Sequence, residues 1–278
     1  MPRRPHLSQV TLVAVSSVAL DATVAALRHS MSQVHFAHAL LLSDRQPAAM
    51  ARSGIEWRAI APLRSRRDYS QFMLHGLVDH VQTSHALIVQ WDGFVRDGRR
   101  WCDDFLDYDF IGAPWPQYDM AVGNGGFSLR SRRLLQATTT LPPASEPEDV
   151  MVCRLYRRHL EVNHEIRFAS TRTARRFSYE RGRSDGQEFG FHGVFNFPAE
   201  LPESNVLSIL SSLEPGVIGA RESDETLAKA LRERKLALLK IALKHHRHHP
   251  HRGRRLLRTL GWLLRGHDGA PSRNAEWH

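Results

Sequence analysis

The 278-residue chain has two cysteines, four lysines and no unbroken apolar run of about 18 residues. Each scarcity excludes something. Without long apolar runs the chain is not a polytopic membrane protein. Cys102 and Cys153 stand far apart and form no metal-ligand spacing. They read as buried reduced thiols, with a disulfide as the less favoured alternative. The lysines, Lys229, Lys235, Lys240 and Lys244, all lie in the last fifth of the chain. Residues 1–224 hold 25 arginines against 25 acidic residues, so this part is neutral. Residues 225–278 hold 13 Lys and Arg against 4 acidic residues, which accounts for the whole net charge of +9. The body is therefore no general polyanion binder, and no nucleic-acid partner is expected for it. Internal repeats are absent.

The hydrophobic fraction of 42% suits a globular core. The length fits one α/β domain of roughly 200 residues plus an appendage. The start, MPRRPHLSQVTLVAVSSVAL, is basic and then apolar, as a signal peptide is. However, VTLVAV has the length and β-branched content of a strand, and Asp21 and Arg28 follow with no clear cleavage site. A core strand and a cytoplasmic protein are expected. Residues 10–15 predict a strand buried on both faces, 21–30 a helix capped by Asp21, and 39–42 a second strand. This β-α-β opening implies a doubly wound α/β sheet, whose ligands bind beyond the carboxyl ends of strands. Ser16, Ser17, Ser43 and Asp44 stand at such ends and are candidates to hold a nucleoside. Turn and cap chemistry is an equally good use for them. Further strands are expected at 55–60, 86–90 and 127–129, and helices at 69–83, near 131–137, and from Pro147 through Tyr156 to Leu160. Residues 204–224 read as irregular.

Four features carry chemistry. In Gln90-Trp91-Asp92-Gly93, a carboxylate ends an apolar strand beside a glycine. That position suits Mg²⁺ or Mn²⁺, which takes one or two carboxylates and otherwise phosphate oxygens and water. Asp-Gly is also an ordinary turn. A competing Asp-x-Asp, Asp107-Tyr108-Asp109, ranks second because alternation turns only one carboxylate to any pocket. Next, Gly123-Asn124-Gly125-Gly126 is neither a Walker loop nor a dinucleotide fingerprint. It leads into a strand, as the floor of a sugar pocket or a β-bulge would, with Asn124 available to sugar hydroxyls. The third, Pro147-Glu148-Asp149, places two carboxylates at a helix start. The helix dipole favours their ionised form, as a general base requires, and plain capping is the alternative. The last, Phe189-Gly190-Phe191-His192-Gly193, sets a histidine on a tight loop, as a metal ligand or a satisfied polar residue. Trp91 and Trp115 are suited to stacking on a base or sugar ring or to core packing.

The order VQWDGFV, WCDDFLDYDFIGAPWPQ, VGNGGFSLRSRRLL, PEDVMVCRLYRRHLE, FGFHGVFNF resembles a bacterial family of unknown function that is glycosyltransferase-like, over roughly residues 8–200. The wider similarity is to GT-A glycosyltransferases. It implies a Rossmann-type mixed sheet flanked by helices over 8–205, with a linker and basic helical tail over 206–278. It further implies a nucleotide-sugar donor, a glycan or lipid-linked acceptor, and Mn²⁺ or Mg²⁺. By position, Asp92 looks like the last metal-binding Asp, Gly125 and Gly126 like the glycine-rich acceptor-side segment, Asp149 like the base and His192 like the late metal ligand. Gln90 departs from the pattern, which has Asp there, and so keeps a catalytically inactive nucleotide or sugar binder in play. A metal-dependent hydrolase would use the same residue types.

The tail reads as two helical pieces over 225–265, split near Pro250 and Gly253. RRLLRTLGWLLR puts Leu256, Leu257, Leu260, Leu263 and Leu264 on one side, and Arg254, Arg255, Arg258 and Arg265 towards the other, with Trp262 between. This is the pattern of a basic helix lying on an anionic membrane, or of one packing on a partner. The His245–His251 run reads as solvated polar sequence rather than a transition-metal site.

Overall fold

The computed structural model describes residues 4–115, 122–182 and 184–264, without the side chains of 262–264. The chain divides into two compact units, Met1–His192 and Gly193–His278.

The first unit is built on a six-stranded mixed sheet. Its strands are β1 (His6–Val15), β2 (His35–Ser43), β3 (Glu56–Ala59), β4 (His85–Val89), β5 (Phe110–Ile111) and β6 (Ser128–Ser131), in the order β3-β2-β1-β4-β6-β5. The first four are parallel, with Val13 beside Leu40 and Ile88, while β6 runs antiparallel to both β4 and β5. The α/β class and mixed sheet expected from the sequence are observed. Alternate residues feed two cores. Leu12, Ala14, Leu41, Leu87 and Leu129 face one way, and Val13, Val15, Leu40, Leu42 and Ile88 the other. Both faces being covered, these strands read as continuous apolar runs.

The helices of this unit are α1 (Leu20–Gln33), α2 (Arg66–His75), α3 (Arg132–Thr138), α4 (Glu148–Val150), α5 (Arg157–His164) and α6 (Thr171–Phe177). Ser65 caps α2 by accepting from the Asp68 N–H at 3.1 Å, and Asp68 accepts in return from the Arg64 N–H at 2.9 Å. Two expectations need correction. The residue before α1 is Ala19, in the left-handed region with φ 48° and no side-chain cap, so Asp21 lies in the first turn instead of capping. The helix expected from Pro147 to Leu160 is broken. After α4 the chain widens into a π-turn at Met151–Leu155 before α5 begins. Such bulges recur at functional sites.

A small parallel pair completes the unit, β7 (Ser178–Tyr179) with β8 (Gly190–Phe191), Tyr179 facing Phe191. The sheet reverses direction of growth at β1, which has β2 on one side and β4 on the other. Its carboxyl edge at that point is where an α/β sheet opens a crevice.

The second unit is helical: α7 (Phe197–Glu200), α8 (Glu203–Ser212), α9 (Ala220–Arg232), α10 (Leu236–His246) and α11 (Arg252–Leu264). The segment expected to be irregular thus contains α8, and a break at Arg234 (φ 55°) divides what was read as one helical piece. The tail departs from the simple amphipathic picture. Arg255 and Arg258 turn inward onto the fully buried Asp224 at 2.7 and 3.0 Å, joined by His246 at 3.2 Å. Meanwhile Leu257 is 72% exposed and Leu260 is 40% exposed. The buried carboxylate outweighs the leucine stripe because an unpaired charge costs more to bury than a leucine costs to expose. His245 and His246 are buried, not solvated; the His245 Nε2 lies 2.8 Å from the Leu210 carbonyl. The expected positions of Trp262, Leu263, Leu264 and Arg265 lie outside the described side chains. No helix among the described residues is long and apolar enough to cross a membrane.

Candidate functional site

Gln90-Trp91-Asp92-Gly93 leaves β4 as a two-residue hairpin turn. The Gln90 N–H donates to the Gly93 carbonyl at 3.0 Å, and the Gly93 N–H to the Gln90 carbonyl at 3.1 Å. Trp91 and Asp92 form its tip, at the carboxyl edge beside the end of β1. The turn and the candidate site are therefore the same feature.

His192 comes to this tip from 100 residues away. The chain exits β8 directly into it, and its N–H donates to the Tyr179 carbonyl at 2.9 Å. Its Nε2 lies 3.5 Å from Asp92 Oδ1 and 3.2 Å from Gln90 Oε1. Its Nδ1 lies 3.5 Å from Glu180 Oε1 and 3.0 Å from the Asn124 amide nitrogen. Asp92, Glu180 and Asn124 are all buried. Burial opposes a charge on the imidazole, but the Asp92 and Glu180 carboxylates outweigh it and lift His192 to about 10. Burial would likewise raise Glu180, yet His192 and Arg181 hold it down at about 2. The three groups form a carboxylate–imidazolium–carboxylate row.

The glycine-rich segment explains how the ring fits. A Cβ on Gly126 would stand 2.1 Å from His192 Nε2, and one on Gly125 would stand 2.0 Å from Glu148 Oε1. Two of the expected sugar-facing glycines thus make room for the protein's own side chains. Asn124, at φ 59°, accepts from the Phe127 N–H at 3.2 Å. Trp115 is buried against the Gly123 backbone, so core packing is its observed use.

The acidic pair separates into two roles. Glu148 lies in the interior, where both its oxygens take the guanidinium of the fully buried Arg130 at 2.8 and 2.9 Å. That arrangement removes it as a base and makes it structural. Asp149 is partly buried and accepts from the Gly125 N–H at 3.1 Å and the Val150 N–H at 2.9 Å. Burial, reinforced by the neighbouring Glu148 charge, pushes Asp149 up to about 6. The helix start therefore does not hold it at the ordinary carboxylate value, because α4 is only three residues long. The Gln90 amide, whose oxygen faces His192, donates to the Tyr69 hydroxyl at 2.9 Å.

The donor-side candidates divide as well. Ser16 closes its own turn, accepting from the Val18 N–H at 3.1 Å. Ser17 accepts from the Leu63 N–H at 2.9 Å and lies beside Asp44. Ser43 is fully buried and spent on Trp57 Nε1 and the Arg45 carbonyl, which removes it from a nucleoside pocket. Asp44 pairs with Arg45 at 3.1 Å at the end of β2. The rival Asp-x-Asp fails as a metal site. Asp109 is buried and filled by Ser131, Arg133 and the Arg167 N–H, while Asp107 is exposed. Both cysteines are free thiols, and Cys153 is buried.

Glu180, Arg130 and Tyr69 are the site residues that sequence reading missed. Glu180 and Tyr69 lie outside the quoted motifs, and Arg130 lies at the end of the glycine-rich one among other arginines. A residue that follows a two-residue strand gives no local signal of the histidine beside it.

Asp92 Oδ1, Gln90 Oε1 and His192 Nε2 converge as two oxygens and a nitrogen, a donor set that fits Mn²⁺ or Mg²⁺ completed by phosphate oxygens. Among the described residues no group of three or more His, Cys, Asp or Glu side chains is arranged to hold a metal by itself.

No curated protein matches this chain. Among solved structures it is similar to the galactosyltransferase LgtC in complex with donor and acceptor sugar analogues, at 12% identity and a TM-score of 0.43, covering 73% of this chain and 96% of that one. An active-site mutant of LgtC is similar at 13% identity and a TM-score of 0.41, over the same shares. These values are too low to transfer a function. Residues 55–192, which contain Gln90, Asp92, Asn124, Asp149, Glu180 and His192, match the model of the family described as "Protein of unknown function (DUF5672)".

Proposed function

We propose that this chain is a glycosyltransferase that moves a sugar from a nucleotide-sugar donor to a hydroxyl of a glycan or lipid-linked acceptor. The observation that carries the reading is the meeting of Asp92 and His192, 3.5 Å apart, at the carboxyl edge of the sheet. Asp149 stands behind the same glycine segment. The motif order resembles GT-A glycosyltransferases in these positions.

The chemistry assigns each residue a task. Asp92, Gln90 and His192 would hold Mn²⁺ or Mg²⁺, which neutralises the charge developing on a diphosphate leaving group. Asp149 takes the proton of the acceptor hydroxyl as that oxygen bonds to the anomeric carbon and the bond to the diphosphate breaks. An inverting outcome follows from this single displacement. A carboxylate at about 6 remains ionised at neutral pH and is a better proton acceptor than an ordinary one. Trp91 at the turn tip and Asp44 at the end of β2 lie along the strand ends that would take the nucleoside, while Ser16 and Ser17 hold the turns there.

The test is release of nucleoside diphosphate from a panel of nucleotide sugars, with Mn²⁺ and with EDTA. Turnover with Mn²⁺ is expected, falling on the order of 10²-fold in Asp92→Asn. Donor binding without any turnover, across acceptors, would instead select the inactive binder, for which Gln90 is the supporting residue.

The tail supports placement at an anionic lipid surface, since exposed Leu257 and Leu260 stand beside exposed Arg252 and Arg254. Co-sedimentation with phosphatidylglycerol vesicles, but not phosphatidylcholine vesicles, is expected. L257E/L260E should abolish it, and equal sedimentation of the variant would end the idea.

A further inference from the structure

We propose that Arg64, Arg66 and Arg67 form a phosphate-binding rim of the candidate site, which holds a phosphate or diphosphate ester of one of its two substrates. The inference deepens the function proposed above and rests on it for the identity of those substrates; the binding itself is measurable without turnover.

Three observations carry it. First, the run Arg64-Ser65-Arg66-Arg67 is fastened to the site on either side. Leu63, just before it, donates its N–H to Ser17 Oγ beyond the end of β1 at 2.9 Å. Tyr69, just after it, takes the Gln90 amide at the end of β4 on its hydroxyl at 2.9 Å. Ser70 accepts from the Glu148 N–H at 3.2 Å, which ties the opening of α2 to the short helix that carries Asp149. The arginines therefore stand on a rim shared by the strand ends and the proposed base. Second, all three side chains are exposed, and among the described residues none meets a carboxylate. Elsewhere in this unit Arg58, Arg96, Arg130, Arg133 and Arg157 each pair with an acid. The acid of the same turn, Asp68, is folded back onto the Arg64 N–H at 2.9 Å, so three positive charges stand against one negative. Third, the placement is electrostatically costly. The start of a helix carries a partial positive charge and favours acids, yet Arg66 and Arg67 are the first two residues of α2. A break with a local rule is expected where function uses it, and a bound anion removes the repulsion.

The residue type names the ligand chemistry. Three guanidinium forks offer more donors than one carboxylate has oxygens, and a phosphate or diphosphate ester supplies both the charge and the oxygens to meet them. Both substrates of the proposed reaction bring such a group. The nucleotide-sugar donor has its diphosphate, and an acceptor joined to its lipid through phosphate has that linker.

The experiment is a calorimetric titration of the full chain at low salt, in EDTA so that no cation contributes. The probes are inorganic pyrophosphate, UDP and GDP, and octyl diphosphate, whose chain is too short to hold a membrane. The wild-type chain is expected to bind pyrophosphate. Arg64→Ala/Arg66→Ala/Arg67→Ala is expected to weaken that binding about 10- to 100-fold, the worth of three exposed charge pairs. Arg172→Ala/Arg175→Ala removes two equally exposed and unpaired arginines of α6 and is expected to leave it unchanged. Matching midpoints of thermal unfolding check that these surface substitutions keep the fold. A larger loss in the triple variant for UDP and GDP than for octyl diphosphate assigns the rim to the donor, and the reverse assigns it to a lipid-linked acceptor. An equal loss for both assigns it to the phosphate alone. Unchanged pyrophosphate affinity in the triple variant, an equal loss in the α6 variant, or no binding by the wild-type chain overturns the rim. Binding that needs the three arginines, in a chain that releases no nucleoside diphosphate from any nucleotide sugar, keeps the rim and overturns the glycosyltransferase reading instead.

Discussion

Glu148→Ala is expected to lower the stability of the first unit by about 3–5 kcal/mol, the range for removing one partner of a buried ion pair. The side chains of Arg130 and Glu148 are 2% and 4% exposed, and two parallel bonds of 2.8 and 2.9 Å join them. Removing the carboxylate strands a guanidinium in a medium where an isolated charge is expensive. Ser128 and the Gly125 carbonyl remain as partners for it, but they carry no charge. The midpoint of thermal unfolding should drop by roughly 6–20 °C for a unit of this size. Urea unfolding with Arg130→Met/Glu148→Met separates charge from volume. The double variant should recover most of the loss, because apolar replacement of both partners leaves nothing unpaired. A loss below about 1 kcal/mol in Glu148→Ala would show that water reaches the pair and that it does not order the site. The functional stake is local: Arg130 also reaches the Gly125 carbonyl, and the Gly125 N–H holds Asp149.

Asp149→Asn is expected to reduce transfer by about 10² to 10⁴-fold, the usual worth of a positioned general base. The pH profile makes the prediction specific. Burial and the Glu148 charge raise Asp149 to about 6, so its basic form disappears as pH falls through about 6, not about 4. The acid limb of kcat/KM should therefore bend near 6 in the wild-type chain. Residual activity in Asp149→Asn should lose that limb. A limb near 4, or near-full activity in the variant, would remove Asp149 from the role of base. The sign for stability is opposite. The folded value lies above the unfolded one of 3.8, so the charged form is the disfavoured one. The penalty is absent below the unfolded value and fully developed above about 6, reaching at most about 3 kcal/mol. An acid held at such a cost is what a tuned catalytic carboxylate requires.

Much of the fold was legible because it rests on local patterns. The apolar runs of β1, β2 and β4 have no polar face to alternate with, and that signature belongs to a sheet covered on both sides. Asp92 and His192 were legible as candidates because an acid ending an apolar strand and a histidine between glycines are local features. Their neighbours were not. Glu180 lies 12 residues before His192 and shares no periodicity with it; only the β7–β8 register joins them. Arg130 and Glu148 are 18 residues apart, and Arg130 sits among arginines that the sequence cannot sort into buried and exposed. The glycines were read as space for a sugar, whereas Gly125 and Gly126 are filled by Glu148 and His192. In the tail, the leucine stripe was visible, but Asp224 reversed which side packs, since a single buried charge draws two arginines inward.

By itself the sequence determined the α/β architecture, the neutrality of the body, the basic character of the tail, and the position of Asp92 at a strand end. These follow from hydrophobic period, composition and turn chemistry, which act over a few residues. The tertiary structure alone decided that His192 stands between Asp92 and Glu180, that Glu148 is bound to Arg130, and that Asp149 is held by the Gly125 N–H. Those assignments depend on which charges share a buried space. Burial sets the cost of each unpaired charge, and strand register and chain crossing decide which partners meet.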